Sequence, residues 1–308
     1  MEKVIIATRG SNLALWQAYH IKALLEKEHG AEVELNIIKT KGDKILDVPL
    51  AKIGGKGLFV KEIEQALIDD KADIAVHSMK DVPMEMPEVL KLYASPKGET
   101  PYDCFVSVKY NNVEELPKNA VVGTSSLRRK LQLKKLRPDL VINDLRGNVN
   151  TRLAKLEAGD YDGIILAKAG LVRLELDHHV KETFTTEQML PSCCQGILGI
   201  QIRQDDNRVM KMLNFLRHDE TETRVNMERA FLRKLEGGCK APIAGHSVLE
   251  GDKIFMRGIV ADLDGKTFIE RSIEGPRTYA ERLGIELADN ILDAGAKEIL
   301  DEIYKNAD

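Results

Sequence analysis

Residues 4–11 read VIIATRGS, and residues 121–129 read VVGTSSLRR. Each stretch begins with β-branched and apolar residues, continues through glycine and hydroxyl side chains, and leads into a segment with helical spacing of its apolar residues. The serine at the first junction, Ser11, is well suited to cap the helix that follows. Both stretches therefore predict a strand that passes into a helix, which is the repeating unit of an α/β fold.

Strand and helix patterns alternate outward from these two junctions. The first set comprises strands 4–8, 33–38, 73–77 and 89–93, with helices from Ser11 and over 58–68. After the turn-rich residues 95–101, the second set comprises strands 105–108, 121–123, 140–143 and 163–166, with helices 127–136 and 149–158. The alternation predicts two α/β domains, each built around a mainly parallel sheet.

The pattern changes after Gly196. A strand-like run at 197–202 and a helix at 209–216 are expected to return the chain to the first domain. A helix near 224–235, three strand-like runs joined by Gly and Asp turns, and a last helix over 279–304 predict a small α+β domain with a three-stranded antiparallel sheet. The predicted domains are residues 1–97 with 196–217, residues 98–195, and residues 218–308.

Composition narrows the class of protein. The 308 residues include 45 Lys or Arg and 49 Asp or Glu, giving a formal charge of −4, and only one Trp, so a nucleic-acid partner is disfavoured. The apolar runs fall far short of the roughly 20 residues that span a bilayer, and residues 1–9 do not resemble a secretory signal, so we expect a cytoplasmic protein without a membrane partner. Four cysteines without a CxxC spacing predict neither a disulfide framework nor a metal site.

Positive charge is concentrated in the second predicted domain. Between Thr124 and Arg173 the chain carries eleven Lys or Arg and only five Asp or Glu. Several of these basic residues, among them Arg146 and Arg152, fall in strand-to-helix loops, which converge at the ligand-binding edge of a parallel sheet. The ligand should therefore be polyanionic. Four of the basic residues are instead expected to lie on a solvated surface without binding a ligand, namely Lys130, Lys134, Lys135 and Lys155.

Four further motifs allow two interpretations each. Residues 8–11 form either an anion site or an ordinary glycine turn with a serine cap. The glycines of 54–59 either let Lys52 or Lys56 fold over a ligand or form a flexible loop, and Asp81 in HSMKDVP (77–83) is either a functional carboxylate or a turn residue. In EGGCKAP (236–242), Cys239 is either an exposed thiolate favoured by its lysine neighbour or a buried inert cysteine, whereas Cys193 and Cys194 are expected to be structural.

Six motifs together resemble the porphobilinogen deaminases, in order and spacing over essentially the whole chain. They are RGSNLA (9–14), GGKGLF (54–59), HSMKDVP (77–83), GTSSLRR (123–129), LRGNVNTR (145–152) and EGGC (236–239). The resemblance implies two domains similar to periplasmic binding proteins, with the active site in a cleft between them, and a third domain that bears the cofactor. It also implies a dipyrromethane cofactor joined by a thioether to Cys239, and a monomeric enzyme.

The implied reaction is the head-to-tail condensation of four porphobilinogen molecules, with loss of ammonia, to the linear tetrapyrrole hydroxymethylbilane. By residue match, Asp81 is the catalytic carboxylate that stabilises the azafulvenium cation left when ammonia departs. The implied cofactor ligands are Ser78, Lys80, Thr124, Ser126, Arg128, Arg129 and Arg146. The implied substrate ligands are Arg9, Ser11, Gln17, Lys52, Lys56, Phe59, Arg146, Arg152, Arg173 and Gln195. A basic site in an acidic protein suits this chemistry, because each pyrrole carries an acetate and a propionate.

A solute-binding module on the same two-domain fold is the competing class. Such a module would share the basic residues at the ligand-binding edge of the sheet. It would not need a thiol on a third domain, and it would not need Asp81 among cationic ligands. Two residues depart from the family pattern, namely Asn12 in place of a frequent proline and Cys194 in place of a small glycine or alanine.

Overall fold

The computed structural model describes residues 2–40, 42, 60–237 and 241–305. The chain divides into two compact units. The first unit contains the described residues up to Glu99 together with Ile197–Glu222, and the second contains Thr100–Gly196 and the chain from Thr223 onward. The domain boundaries drawn from the sequence stay predictions.

The strands and helices are numbered along the described part of the chain. The strands are β1 (Lys3–Arg9), β2 (Glu32–Ile38), β3 (Ile74–Ser78), β4 (Leu90–Ala94), β5 (Asp103–Val106), β6 (Val121–Gly123), β7 (Val141–Asn143), β8 (Gly163–Ala167), β9 (Val180–Thr183), β10 (Leu198–Arg203), β11 (Ile243–Glu250), β12 (Lys253–Ala261) and β13 (Phe268–Pro276). The helices are α1 (Asn12–His29), α2 (Lys61–Ile68), α3 (Leu127–Leu136), α4 (Val149–Glu157), α5 (Lys168–Arg173), α6 (Asn207–Leu213), α7 (Asp219–Lys234), α8 (Ala280–Ile291) and α9 (Lys297–Lys305). Among these helices, none is both long and apolar enough to cross a membrane.

The first unit is built on a sheet with the strand order β2-β1-β3-β10-β4. Strand β10 runs antiparallel to both of its neighbours, while β2, β1, β3 and β4 share one direction. Ile21 and Leu25 of α1 pack on this sheet in a core with Ile6, Ile74 and Ile200, all fully buried. The predicted return of the chain to the first sheet after Gly196 is therefore confirmed.

The second unit contains a sheet of the same pattern, in the order β7-β6-β8-β5-β9, in which β5 alone is antiparallel to its neighbours. Its core includes Phe105, Leu133, Ile165 and Phe184. Strand β9 was not predicted, because its sequence VKET lacks an apolar alternation. The fold class predicted from the alternating pattern, two mainly parallel α/β sheets, is confirmed.

The second unit also contains the three-stranded antiparallel sheet β11-β12-β13, as predicted. The largest differences from the predicted helix bounds are in α7 and in the last helix. Helix α7 begins at Asp219, five residues before the expected start, because its first turn is acidic and suits the positive end of a helix while lacking apolar residues. The predicted last helix is interrupted at Leu292–Ala296, where Gly295 has φ 104° and breaks the helical path between α8 and α9.

Candidate functional site

In the first unit, the junction between β1 and α1 is capped as the sequence predicts. Ser11 is the N-cap of α1, and its Oγ accepts a hydrogen bond from the Ala14 N–H at 3.4 Å. One turn into the helix, the buried Gln17 donates through Nε2 to the Oγ of Ser78 at 2.9 Å. Because β1 and β3 are parallel neighbours, Arg9, Ser11, Gln17 and Ser78 come together at the carboxyl edge of this sheet.

Strand β3 leads directly into the turn that carries Asp81. The residues Met79–Asp81 form one turn of 3₁₀ helix, anchored by the fully buried Met79, whose N–H donates to the carbonyl of Ile197 at 2.9 Å. Val82, which precedes Pro83, has extended backbone angles (φ −79°, ψ 123°), as the proline predicts. The turn leaves Lys80 half-buried and Asp81 exposed, so the Asp81 carboxylate is accessible from an anchored backbone.

His77 lies on the same strand but is held in the interior. Its Nε2 lies 3.0 Å from Oε1 of Gln201, which is itself fully buried. Burial, together with the positive charge of Arg9, lowers the pKa of His77 to about 4 despite that hydrogen bond. His77 is therefore neutral near pH 7, and its side chain is a hydrogen-bonded part of the strand interior.

In the second unit, the junction between β6 and α3 carries the corresponding hydroxyl groups. The Thr124 N–H donates to the carbonyl of Asn143 at 2.9 Å, and the Oγ1 of Thr124 accepts from the Ser126 N–H at 3.3 Å. Ser126 is the N-cap of α3, and its Oγ accepts from the Arg129 N–H at 3.5 Å. No acidic residue stands in the first turn of α3, so this helix start presents positive charge.

The two adjacent arginines of α3 converge on one carboxylate that the sequence analysis did not single out. Arg128 Nη1 lies 2.6 Å from Oδ2 of Asp103, while Arg129 contacts Oδ1 through Nε at 3.0 Å and Nη2 at 2.8 Å. Gln195 donates through Nε2 to the same Oδ1 at 2.9 Å. Asp103 begins β5 and has no exposed surface.

Charge compensation keeps Asp103 ionised. Burial alone would raise the pKa of Asp103, but the guanidinium groups of Arg128 and Arg129 hold it far below its usual range. The contacts also fix both arginines to the backbone, since Arg128 Nη1 donates to the carbonyl of Leu190 at 2.8 Å and Arg129 Nη1 to that of Ile165 at 3.1 Å. The group formed by Asp103, Arg128, Arg129 and Gln195 is called the Asp103 cluster below.

The remaining basic candidates lie near the same end of the second sheet or at its margin. Arg146 is half-buried in the loop after β7, and Arg152 Nε donates to the carbonyl of Gly147 in that loop at 2.8 Å. Strands β6 and β7 are parallel neighbours, so these residues follow the same sheet edge as Arg128 and Arg129. Arg173, at the end of α5, is buried and donates through Nη2 to the carbonyl of Gly196 at 2.6 Å.

Some predicted residues lie outside the described ranges, namely Lys52, Lys56, Phe59 and Cys239. The other three cysteines are buried. Burial raises the pKa of Cys104 to about 12 and the pKa values of Cys193 and Cys194 well above the usual thiol range, so these thiols are inert. This agrees with the structural role expected for Cys193 and Cys194.

Glu228 is a second buried carboxylate that sequence reasoning missed. It accepts hydrogen bonds from the Cys194 N–H and from the Ser247 N–H at 2.8 Å and Oγ at 2.6 Å. It thereby ties the segment that leads to Gln195 onto α7 and β11. For Asp103 the available signal was an acidic residue directly before the apolar run CFV, whereas Glu228 stands beside Arg229 and offered no such signal. The partners of both carboxylates are distant in sequence.

The described residues suit a ligand with several carboxylates. Each unit has a helix start capped by a serine, and in the second unit the fixed guanidinium groups add charge-assisted donors. This fold and these groups define a class of α/β proteins that carry cationic and hydroxyl side chains at the carboxyl edges of their sheets.

The comparisons with known proteins identify the family within that class. One sequence model, "Porphobilinogen deaminase, dipyromethane cofactor binding domain", matches residues 4–211, and another, "Porphobilinogen deaminase, C-terminal domain", matches residues 222–293. The porphobilinogen deaminases of Nitratidesulfovibrio vulgaris strains DP4 and Hildenborough are each 57% identical over 307 residues, covering 99% of this chain and 98% of theirs. The chain belongs to the porphobilinogen deaminase family.

Weaker likenesses to solved structures accompany this match. The methionine-binding protein MetQ has a TM-score of 0.45 at 13% identity, covering 73% of this chain and 94% of its own. An arginine-specific periplasmic binding protein of Salmonella typhimurium has a TM-score of 0.40 at 14% identity, covering 76% and 98%.

The family establishes the activity predicted from the sequence. The chain is a transferase that condenses four porphobilinogen molecules, with release of ammonia, into hydroxymethylbilane for tetrapyrrole biosynthesis. It contains the domain that binds the dipyrromethane cofactor.

Proposed function

We propose that Asp81 is the catalytic carboxylate of this reaction. The observation that supports this role is the turn Met79–Asp81, which exposes Asp81 on a backbone anchored by a buried neighbour. Loss of ammonia from porphobilinogen leaves a cation, and a carboxylate that accepts the pyrrole N–H lies close enough to stabilise it. At about 4 Å and an effective dielectric near 20, that attraction is roughly 4 kcal/mol, or on the order of a thousandfold in rate.

The basic and hydroxyl residues hold carboxylates in this proposal. The residues proposed to hold the cofactor are Ser78, Lys80, Thr124, Ser126, Arg128, Arg129 and Arg146. The residues proposed to bind the substrate are Arg9, Ser11, Gln17, Lys52, Lys56, Phe59, Arg146, Arg152, Arg173 and Gln195. The capped start of α3 and the fixed guanidinium groups support the first set. The dipyrromethane, when bound, supplies the fixed pyrrole end to which the product chain is attached.

Cys239 is proposed as the attachment point of the cofactor through a thioether. The glycine-rich sequence before it and Lys240 after it favour an accessible thiolate, and the described cysteines are buried with raised pKa values. The Cys239→Ser variant should fold, lack the covalent adduct in an intact-protein mass spectrum, and lose nearly all turnover.

Cys193→Ser is the matched control for this experiment, since it replaces a thiol in the same chain that is 1% exposed. It should carry the adduct and keep its activity. A Cys239→Ser protein with the normal adduct mass and full activity would exclude this attachment point.

The proposal also includes a monomeric, cytoplasmic enzyme that acts without a nucleic-acid or membrane partner. Its net charge of −4 supports the part that concerns nucleic acid, because general binding to phosphates favours a basic protein. Sedimentation equilibrium at micromolar concentration should give the mass of one chain, 34.4 kDa plus the cofactor. A mass of two chains would exclude the monomer.

A further inference from the structure

The Asp103 cluster contains more positive charge than negative. Two guanidinium groups that are each less than one-tenth exposed share a single carboxylate with no exposed surface. Counted over these three charged groups, one unit of positive charge remains in a place with little water. Such a charge is costly unless an anion approaches, so the cluster favours a ligand carboxylate.

The geometry of the cluster depends on Asp103. Its Oδ2 accepts from Arg128, and its Oδ1 accepts from Arg129 and from Gln195, so this one side chain joins all three, each of which also donates to a backbone carbonyl. All three are proposed ligands of the cofactor or the substrate. Arg128 uses the single atom Nη1 for both its bond to Asp103 and its bond to the Leu190 carbonyl. These two hydrogen bonds hold the guanidinium group of Arg128 at its Nη1 end.

We propose that Asp103 is a positioning residue, which orients Arg128, Arg129 and Gln195 and cancels one of the two guanidinium charges, so that the cluster accepts one ligand carboxylate. This inference rests on the proposed role of the two arginines in holding the dipyrromethane. Asp103 touches neither cofactor nor substrate in this proposal, and it acts through the side chains that it fixes. Its negative charge persists because the arginines keep its pKa far below the usual range.

The test compares Asp103→Asn with Asp162→Asn in the full-length protein. Asp162 is a matched control, because it is a carboxylate of the same unit whose Oδ2 accepts the Val121 N–H at 2.8 Å. The proteins are produced in cells that cannot make porphobilinogen and are then incubated with porphobilinogen. The gain of the two-pyrrole adduct is followed by intact-protein mass spectrometry, well below the thermal midpoint of each variant.

Asp103→Asn should acquire the adduct at least tenfold more slowly than the wild type, and Asp103→Glu, which keeps the charge, should lie between them. Asp162→Asn should acquire the adduct at a rate within twofold of the wild type even if its thermal midpoint falls, because this substitution affects only the stability of the fold. Equal loading by Asp103→Asn and the wild type would overturn the inference. If Asp103→Asn does not fold, the test compares Asp103→Glu with Asp162→Glu. Asp103→Glu should then acquire the adduct at least threefold more slowly than the wild type. Loading of Asp103→Glu at the wild-type rate would overturn the inference.

An Arg128→Leu variant in the same experiment separates the two proposals. Slow loading by Arg128→Leu with normal loading by Asp103→Asn would remove the role of Asp103 and leave the proposed role of the arginine intact. Normal loading by both would remove the role of Arg128 in holding the cofactor as well.

Discussion

Asp81 differs from the buried carboxylates near the proposed ligands in what surrounds its charge. Asp103 and Glu228 are at most 1% exposed, and their oxygens accept hydrogen bonds from the protein itself. Asp81 is exposed at the end of a short turn, so its carboxylate is available to a ligand. Exposure on an anchored turn is therefore what favours Asp81, among these three residues, for contact with a cation that forms during the reaction.

Substitutions of Asp81 should separate charge from shape. Asp81→Asn keeps nearly the same shape and an acceptor oxygen but loses the charge, so it should bind substrate and keep its fold while losing most of kcat. Asp81→Glu keeps the charge one methylene away and should retain more activity, because an electrostatic attraction falls only gradually with distance. Steady-state kinetics on protein shown by mass to carry the cofactor would measure both.

Two outcomes would contradict this account of Asp81. Turnover by loaded Asp81→Asn within about threefold of the wild type would remove the proposed stabilisation of the cation, which is estimated at about a thousandfold. Higher activity of Asp81→Asn than of Asp81→Glu would show that positioning outweighs charge.

Cys194, a departure from the family pattern, has a backbone conformation that favours glycine. Its φ is 59°, where a Cβ costs about 1–2 kcal/mol, more than the roughly 0.8 kcal/mol gained by burying one methyl group. Cys194→Gly should therefore be more stable than Cys194→Ala by about 0.5 kcal/mol or more in urea unfolding. At Cys193, which is equally buried but has an ordinary φ, the order should reverse, and the same order at both positions would contradict this explanation.

At the scale of elements, the contact between β3 and β10 should make stability depend on pH. The pKa of His77 is about 4 in the folded protein and 6.5 as its ordinary value. The unfolded chain therefore binds a proton that the folded chain excludes when the pH falls below about 6.5. Stability that is complete above that pH is lost progressively down to about pH 4, amounting to roughly 3 kcal/mol.

His77→Gln keeps a partner for Gln201 and cannot take up this proton. Urea unfolding at pH 7 and pH 4.5 should show that the wild type loses about 2–3 kcal/mol more than His77→Gln between the two conditions. Equal losses would mean that His77 takes up a proton without cost in the folded protein.

The strand-to-helix junctions could be predicted from the sequence because their determinants are local. The Ser11 cap and the turn before Pro83 depend on residues within a few positions, and the structure has them as expected. Asp103 could not be predicted, because its partners Arg128 and Gln195 are 25 and 92 residues away in the chain. Strand β9 was missed for a similar reason, since its short polar sequence forms a strand only beside β5.

At the scale of the whole molecule, the separate positions of the basic residues predict that they serve different stages of chain growth. Arg128 and Arg129 belong to the Asp103 cluster, whereas Arg146 and Arg152 lie at the loop after β7. Replacing Arg128 or Arg129 by Leu should impair formation of the cofactor-loaded enzyme. Replacing Arg146 or Arg152 by Leu should slow or trap intermediates of particular length.

Native gels and mass spectra of the enzyme during turnover would measure these intermediates. An unaltered ladder of intermediates in all four variants would contradict the staged assignment. Lys at the same positions should restore only part of the function, because Lys lacks the two-pronged donor geometry of Arg.

The position of β10 inside the first sheet has a consequence for how the protein folds as it leaves the ribosome. Among the described strands, β4 joins that sheet through β10 alone, whose residues are translated about a hundred positions later. All strands of the sheet β7-β6-β8-β5-β9 lie between Asp103 and Thr183, so that sheet is complete in the nascent chain before the first one can close. Although domains generally fold in the order of synthesis, the strands β1–β4 in the first third of this chain must wait with an open edge while a later segment folds. Binding of the nascent chain by chaperones should concentrate there.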